Sequence, residues 1–351
     1  MSPKFLTFAV VGAAVILSGC FQTGSSDSTD TTAGIYKSFD FGETWAPQHR
    51  FLHSGGVGTI SDTNILQLQF DPQDFQAVYA TTAQDGILYT YDAGESWQQP
   101  RILRQGRVDS LAVDPFNKCV IYATLANTIV KTVDCGRAWN EIFIDTVVTK
   151  LVTSLAVDPR NSLTVLAGNS AGDMIKSSDG GGTWRVVNRV NNPIKRILVD
   201  ALDSQIVYLA TQSRGIFKSL DNGETWTEIN DGLKPYSASL EYRHLIPLPD
   251  TQDGLLLAAK HGLLFSTDGG ETWTPISLLT PPATADILAV AVNPGNSNEI
   301  YYATSSTFYK TNDAGQNWVT RRLPTNAAAS YLLADPNSPN VIYLGLSASQ
   351  R

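Results

Sequence analysis

Ser219-Leu220-Asp221-Asn222-Gly223-Glu224-Thr225-Trp226 decides the reading of this chain, because it is one of seven near-copies of a single octapeptide. The pattern S/T-x-D-x-G-x-x-W recurs with its aspartate at Asp40, Asp92, Asp134, Asp179, Asp221, Asp268 and Asp313. It closes at Trp45, Trp97, Trp139, Trp184, Trp226, Trp273 and Trp318. All 7 tryptophans of the chain are used this way, and successive aspartates lie 52, 42, 45, 42, 47 and 45 residues apart. A period of that size, sustained along a chain, marks a propeller with one supersecondary unit per repeat. The residue types explain the local shape. A carboxylate and a short hydroxyl can satisfy turn amides, and glycine takes a positive φ without a Cβ penalty. Tryptophan then opens the next strand and fills the space between neighbouring repeats.

A second repeat supplies the other strands. LQFDP, LAVDP, LAVDP, ILVDA, AVNP and LLADP place Asp71, Asp114, Asp158, Asp200, Asn293 and Asp335 at equivalent turns. They are followed by VYAT, IYAT, VLAG, VYLA, YYAT and IYLG, then by a third strand such as GIFKS leading into the octapeptide. The repeat at 243–266 diverges, with LIPLPD in place of the DP turn. Each unit therefore reads as strand A, the DP turn, strand B, a glycine-containing turn, strand C, the octapeptide and strand D. The first octapeptide is preceded only by a C strand at 34–37, while 331–346 supply an A and a B strand with nothing after them. Joining the two ends completes a seventh unit and removes the free sheet edges. The fold class expected is all-β: a single seven-bladed β-propeller of four-stranded blades, 34–351, closed by a blade shared between the N- and C-terminal strands.

These motifs resemble the Asp box of sialidases, sortilin-type receptors, xyloglucan hydrolases and the photosystem II assembly-factor propellers. The wording LAVDP…VYAT…GIFKSLDNGETW is similar to the xyloglucanase and sortilin-like propellers in particular. Because those proteins do unrelated things, the resemblance implies a fold far more than a function. The D-x-G turns lack the additional carboxylates that a calcium loop needs, so no metal and no cofactor are expected.

The chain of 351 residues carries 33 acids against 25 bases, a net charge of −8, which excludes wholesale wrapping of nucleic acid. Its 3 Cys and 4 His offer no zinc or haem spacing. At the N-terminus, Lys4, an apolar run over 5–17 and Leu17-Ser18-Gly19-Cys20 read as a secretory leader. The run is too short to span a hydrocarbon core of roughly 30 Å. L-S-G-C resembles a bacterial lipobox, which implies cleavage after residue 19 and lipidation of Cys20. The expectation is a leader at 1–19, a polar tether at 20–33, and a body held outside the cytoplasm at a bacterial membrane, periplasmic or cell-surface. On that oxidising side, Cys119 at the start of a strand B and Cys135 in the octapeptide after strand C of the same blade face each other across a hairpin turning near Asn127. A disulfide is expected, the alternative being two buried thiols.

Blade topology also sorts residues by face. The A–B and C–D turns lie on one side of the disc, the B–C turns and D–A connections on the other. The second side receives Arg101, Arg104, Arg107, Arg196, Arg243, His244, Arg321 and Arg322. We expect this basic surface to take an acidic protein partner. The alternative is that long loops are charged because they are wet, since Asp109, Asp145, Glu241 and Asp286 dilute the same face. The longest irregular connections, 49–64, 230–243 and 277–286, lie there as well. No Ser-His-Asp set, P-loop or dinucleotide fingerprint occurs, and neither a sialidase arginine cluster nor the two-propeller cleft of the xyloglucan hydrolases can be assigned. The chain reads as a non-catalytic binding or assembly scaffold, with enzymatic activity left open. A glycan-binding or glycoside-hydrolase-related propeller is the alternative, although every Trp is spent on an octapeptide and only Phe51, Tyr236 and Tyr242 occupy the long loops.

Overall fold

A computed structural model describes residues 30–348. The expected leader, Cys20 and most of the expected tether lie outside them. Seven blades follow one another around a central axis. Blades 1 to 6 occupy 65–98, 111–144, 152–189, 194–228, 242–275 and 289–322, each an antiparallel sheet in chain order. Blade 4 shows the plan: Ile194–Val199 innermost, then Val207–Thr211, Ile216–Ser219 and Thr227–Glu228. In blade 1 the fourth strand is reduced to the bridge between Tyr89 and Gln98.

Blade 7 is composite, as the two ends of the sequence require. Ala328–Ala334 and Ile342–Ser347 are its inner strands, and Gly34–Ser38 and Ala46–Pro47 its outer ones. Five register pairs, from Gly34 with Leu346 to Ser38 with Ile342, seal the ring. Residues 30–33 continue inward from that seam: the Asn326 amide donates to the Asp30 carbonyl and the Thr325 hydroxyl to the Thr32 carbonyl.

The octapeptide turns behave alike in all seven copies. The hydroxyl two residues before the aspartate donates to its Oδ1 and accepts from the glycine amide. In blade 4 the Ser219 hydroxyl lies 2.7 Å from Asp221 Oδ1 and 2.8 Å from the Gly223 amide. The same carboxylate accepts the Thr225 amide at 2.8 Å and the Thr225 hydroxyl at 2.6 Å. These bonds stabilise the charged carboxylate. The carboxyls of Asp179 and Asp313 are pulled down to about 2 chiefly by the amide four residues on, and that of Asp221 by the Thr225 hydroxyl and amide. The residue after each aspartate is also left-handed, and four of the seven have a side chain that resists it: Phe41, Ala93, Cys135 and Ala314.

The core is divided among the seven interfaces between blades, with one apolar cluster at each. Tyr208, Leu245, Leu257 and Trp273, for example, join blades 4 and 5. Each tryptophan joins the apolar cluster shared with the preceding blade; Trp45 meets Phe308 of blade 6 edge-on at 5.4 Å, and the Trp318 indole N–H donates to the Ser277 carbonyl just after blade 5 at 2.7 Å. A lysine latch accompanies them. Strand C carries Lys37, Lys131, Lys176 or Lys218 three residues before the aspartate. Each donates to the carbonyl just after the aspartate of the following blade: Ala93, Gly180, Asn222 and Gly269 at 2.8, 2.8, 2.8 and 3.2 Å. Lys310 reaches the same position of blade 7 by lying over the Phe41 ring, 4.3 Å from its centroid.

Two further features bear on the sequence reading. Cys119 and Cys135 form the disulfide, flanking the hairpin between Ile121–Leu125 and Thr128–Thr132. The segment 49–64, read as irregular, contains a hairpin of Arg50–His53 and Gly56–Thr59. It lies along the outer edge of blade 1, where the Trp97 amide donates to the Arg50 carbonyl and the Leu52 amide to the Trp97 carbonyl, both at 2.8 Å. This covers an edge that would otherwise be open and leaves Trp97 with no exposed surface.

Candidate functional site

The first residues of the innermost strands converge on the axis and form a funnel of about 360 Å³, open on the side where the D–A connections enter. Its wall is polar and cationic at this end, with Gln67, Asp109, Ser110, Lys195, Arg196 and Arg243. Deeper along the axis the lining turns apolar, with Leu68, Val113, Leu155, Val157 and Leu198. The contrast follows from strand alternation and twist: residues at the mouth meet water, whereas those below meet one another.

The sequence-selected residues divide into three groups in space. Arg196, Arg243 and His244 line the funnel. Arg101 and Arg104 lie with Tyr89, Gln98, His53 and Arg137 in a groove of about 710 Å³ between blades 1 and 2. Arg107 sits further along the same connection. Arg321 and Arg322 belong to Val319–Arg322, the exposed outermost strand of blade 6, so they face the side of the disc.

Pairing decides which of these charges a partner would meet. Arg243 is held by Asp286 at 2.9 Å and Arg107 by Asp109 at 2.8 Å. Arg321 pairs with Glu43 of the neighbouring blade at 2.5 Å. Lys150 and Arg189 share Asp173, at 2.6 and 3.1 Å. His244 contributes no charge at neutral pH, because burial, with the nearby cations Arg196 and Arg243, pulls its imidazole down to about 4 while Nε2 contacts the Leu288 carbonyl at 3.0 Å. Tyr242 beside it is pushed up by burial. Among the described residues, Lys195 and Arg196 in the funnel and Arg101 and Arg104 in the blade 1–2 groove form no ion pair. Lys195, which the sequence assigns to the same basic face, stands beside Arg196 at the start of a strand A and belongs with these candidates. Among the described residues no cluster of three or more His, Cys, Asp or Glu side chains could hold a metal ion.

With the geometry established, three comparisons place the chain among known proteins. The sequence model described as Sortilin, neurotensin receptor 3 (Sortilin-Vps10) matches residues 172–277, from strand C of blade 3 to the end of blade 5. No curated protein matches the chain. Among solved structures, the GH74 xyloglucanase of Xanthomonas campestris superposes with a TM-score of 0.67 at 18% identity, over 82% of this chain and 51% of that one. The GH74 enzyme of Niastella koreensis gives 0.63 at 20% identity, over 81% and 51%. The chain thus spans about half the length of these enzymes. YCF48 bound to D1 peptide gives 0.61 at 16% identity, over 82% of this chain and 94% of that one. At such identities the likeness is one of fold: the chain is a seven-bladed β-propeller that superposes on GH74 and YCF48 propellers.

Proposed function

We propose that this propeller is a non-catalytic binding or assembly scaffold, lipid-anchored outside the cytoplasm through Cys20, which takes an acidic segment of a partner protein on the face where the funnel opens. The observation that carries the reading is the pair Lys195 and Arg196. They are two adjacent cations at the mouth of a funnel of about 360 Å³ with no carboxylate partner, on a scaffold where most other cations of that face are neutralised. Unpaired charge in a narrow opening focuses the field and steers an anion inward. Arg101 and Arg104 extend the basic surface toward the rim. A glycan reading draws on Tyr242 and Tyr331, two rings in the same funnel on which a sugar could stack.

The test is cross-linking of the native lipoprotein in its own membranes, beside the double variants Lys195→Glu/Arg196→Glu and Arg321→Glu/Arg322→Glu. A defined protein recovered with the parent and with the outer-strand variant, but lost with the funnel variant, is the expected result. Equal recovery from all three would refute the assignment of the face. An empty capture together with binding of an oligosaccharide would move the function to glycans.

A further inference from the structure

The lysine latch has two exceptions, and one of them leaves an apolar cavity with an unused acceptor. Register defines the latch position in every blade. Lys37 pairs with Tyr343, Lys131 with Tyr122, Lys218 with Tyr208, Lys310 with Tyr301 and Lys176 with Leu166. In blade 1 the equivalent pair is Tyr89 with Tyr79, and in blade 5 it is Phe265 with Leu256. Blade 5 is thus the one blade in which neither strand brings a polar tip to the interface ahead of it.

What remains there is a groove of about 530 Å³ between blades 5 and 6, walled by Leu248, Leu256, Phe265, Ile276 and Ile300, with Ala314 and Gly315 of the blade 6 octapeptide on its border. Ala314 follows Asp313, so its carbonyl corresponds to the carbonyls of Ala93, Gly180, Asn222 and Gly269 that receive a lysine elsewhere in the ring. Among the described residues no donor reaches it. Among the described residues, Asp250 is the only charged one in the lining. The groove between blades 1 and 2, which also lacks the lysine, is lined instead by Arg101, Arg104 and Arg137 and would repel a cation.

We propose that the groove between blades 5 and 6 binds a lysine side chain presented by a partner polypeptide, its alkyl stem on Leu256 and Phe265 and its ammonium donating to the Ala314 carbonyl. Four interfaces of the same molecule show this geometry made with an internal lysine. The groove carries the matching apolar walls, the matching acceptor and a net negative charge. Its size falls within the range of ordinary ligand sites. It lies away from the funnel, so its test is independent of the acidic-partner reading.

The experiment is a methyl-NMR titration of the full protein with Nα-acetyl-lysine N-methylamide, compared with the norleucine analogue, which has the stem without the amine. Saturable shifts at Ile276 and Ile300 with the lysine probe, and about tenfold weaker binding of norleucine, are expected from the loss of one charge-assisted hydrogen bond. Phe265→Lys should abolish binding by filling the groove as the other blades do. If that variant does not fold, Leu256→Tyr fills it from the adjacent strand, as Tyr208 does in blade 4. Asp250→Asn should weaken the lysine probe and leave norleucine unchanged. Equal binding of both probes, or no saturable shift with lysine up to its solubility, would overturn the proposal.

Discussion

Lys176→Met tests whether the latches hold the ring together. Lys176 is 6% exposed at its side chain, and its ammonium reaches the Asn222 carbonyl at 2.8 Å, Asn222 Oδ1 at 2.9 Å and Glu224 at 2.8 Å. Methionine keeps most of the stem and removes all three bonds. The two bonds to neutral acceptors are worth about 1 kcal/mol each. The bridge to the part-exposed Glu224 adds at most about 1 kcal/mol. Asn222 cannot easily turn to find new donors, because its Nδ2 is already committed to Asp158 and the Ser204 carbonyl at 2.8 and 2.7 Å. The loss should therefore be about 2–3 kcal/mol. At roughly 2 °C per kcal/mol for a domain of this size, this lowers the melting temperature by about 4–6 °C. Scanning calorimetry at neutral pH with the disulfide intact measures it. Lys218→Met, which gives up one longer bond of 3.2 Å to Gly269, should lose about 1 kcal/mol, and Glu224→Gln less than about 1 kcal/mol. A Lys176→Met midpoint within about 1 °C of the parent, or an equal drop from Lys218→Met, would show that these lysines are as well satisfied by water.

Acid should weaken the ring through the octapeptide aspartates. Their folded carboxyls lie below the ordinary 3.8, at about 2 for Asp179, Asp221 and Asp313. The stabilisation they contribute is complete above the ordinary value and is lost as pH falls from there through about 2, so melting temperatures between pH 6 and 2 should fall mainly below about pH 4. A flat profile would detach the carboxylates from stability. Reducing Cys119–Cys135, which closes a loop of 16 residues, should add two hydrogens to the intact mass and cost on the order of 3 kcal/mol, read from denaturant midpoints with and without reductant. An unchanged midpoint would mean that the hairpin at 121–132 already restrains the loop in the unfolded chain.

How much of this was legible follows from the range of the interactions. The octapeptide announces itself because the side-chain bonds of its serine and aspartate that shape it join residues within four positions: Ser219, Asp221, Gly223 and Thr225 in blade 4. Such chemistry survives translation into a one-dimensional pattern, and seven copies at a blade-sized period imply the ring. The left-handed residue after each aspartate was not legible, since Phe41, Ala93 and Ala314 give no hint of positive φ and are forced there by the bonds on either side. The hairpin at 50–59 was missed because what stabilises it is an edge contact of Arg50 and Leu52 with the distant Trp97. The lysines of the latch stand in plain sight at a constant distance before five of the seven aspartates. The carbonyls that four of them reach belong to the next blade, 46 to 56 residues away, and only the closed ring brings the two together.

The candidate site was legible only in part, for a related reason: Arg196, Arg243 and His244 do line the funnel. Sorting arginines by face uses topology alone, but whether a cation is available depends on its partner. Arg243 is neutralised by Asp286, 43 residues away, and Arg321 by Glu43 across almost the whole chain. Arg321 and Arg322 also fall inside the outermost strand of blade 6, because a strand end and a loop start cannot be told apart when both are polar. What distinguishes Lys195 and Arg196 is therefore an absence of pairing that only the folded ring can reveal. In a scaffold where many cations are spent on latches and ion pairs, the unpaired ones at the funnel are among those that a partner can still neutralise. By the same logic, the blade 5–6 interface, where the ring omits its own lysine, is the place to expect one from outside.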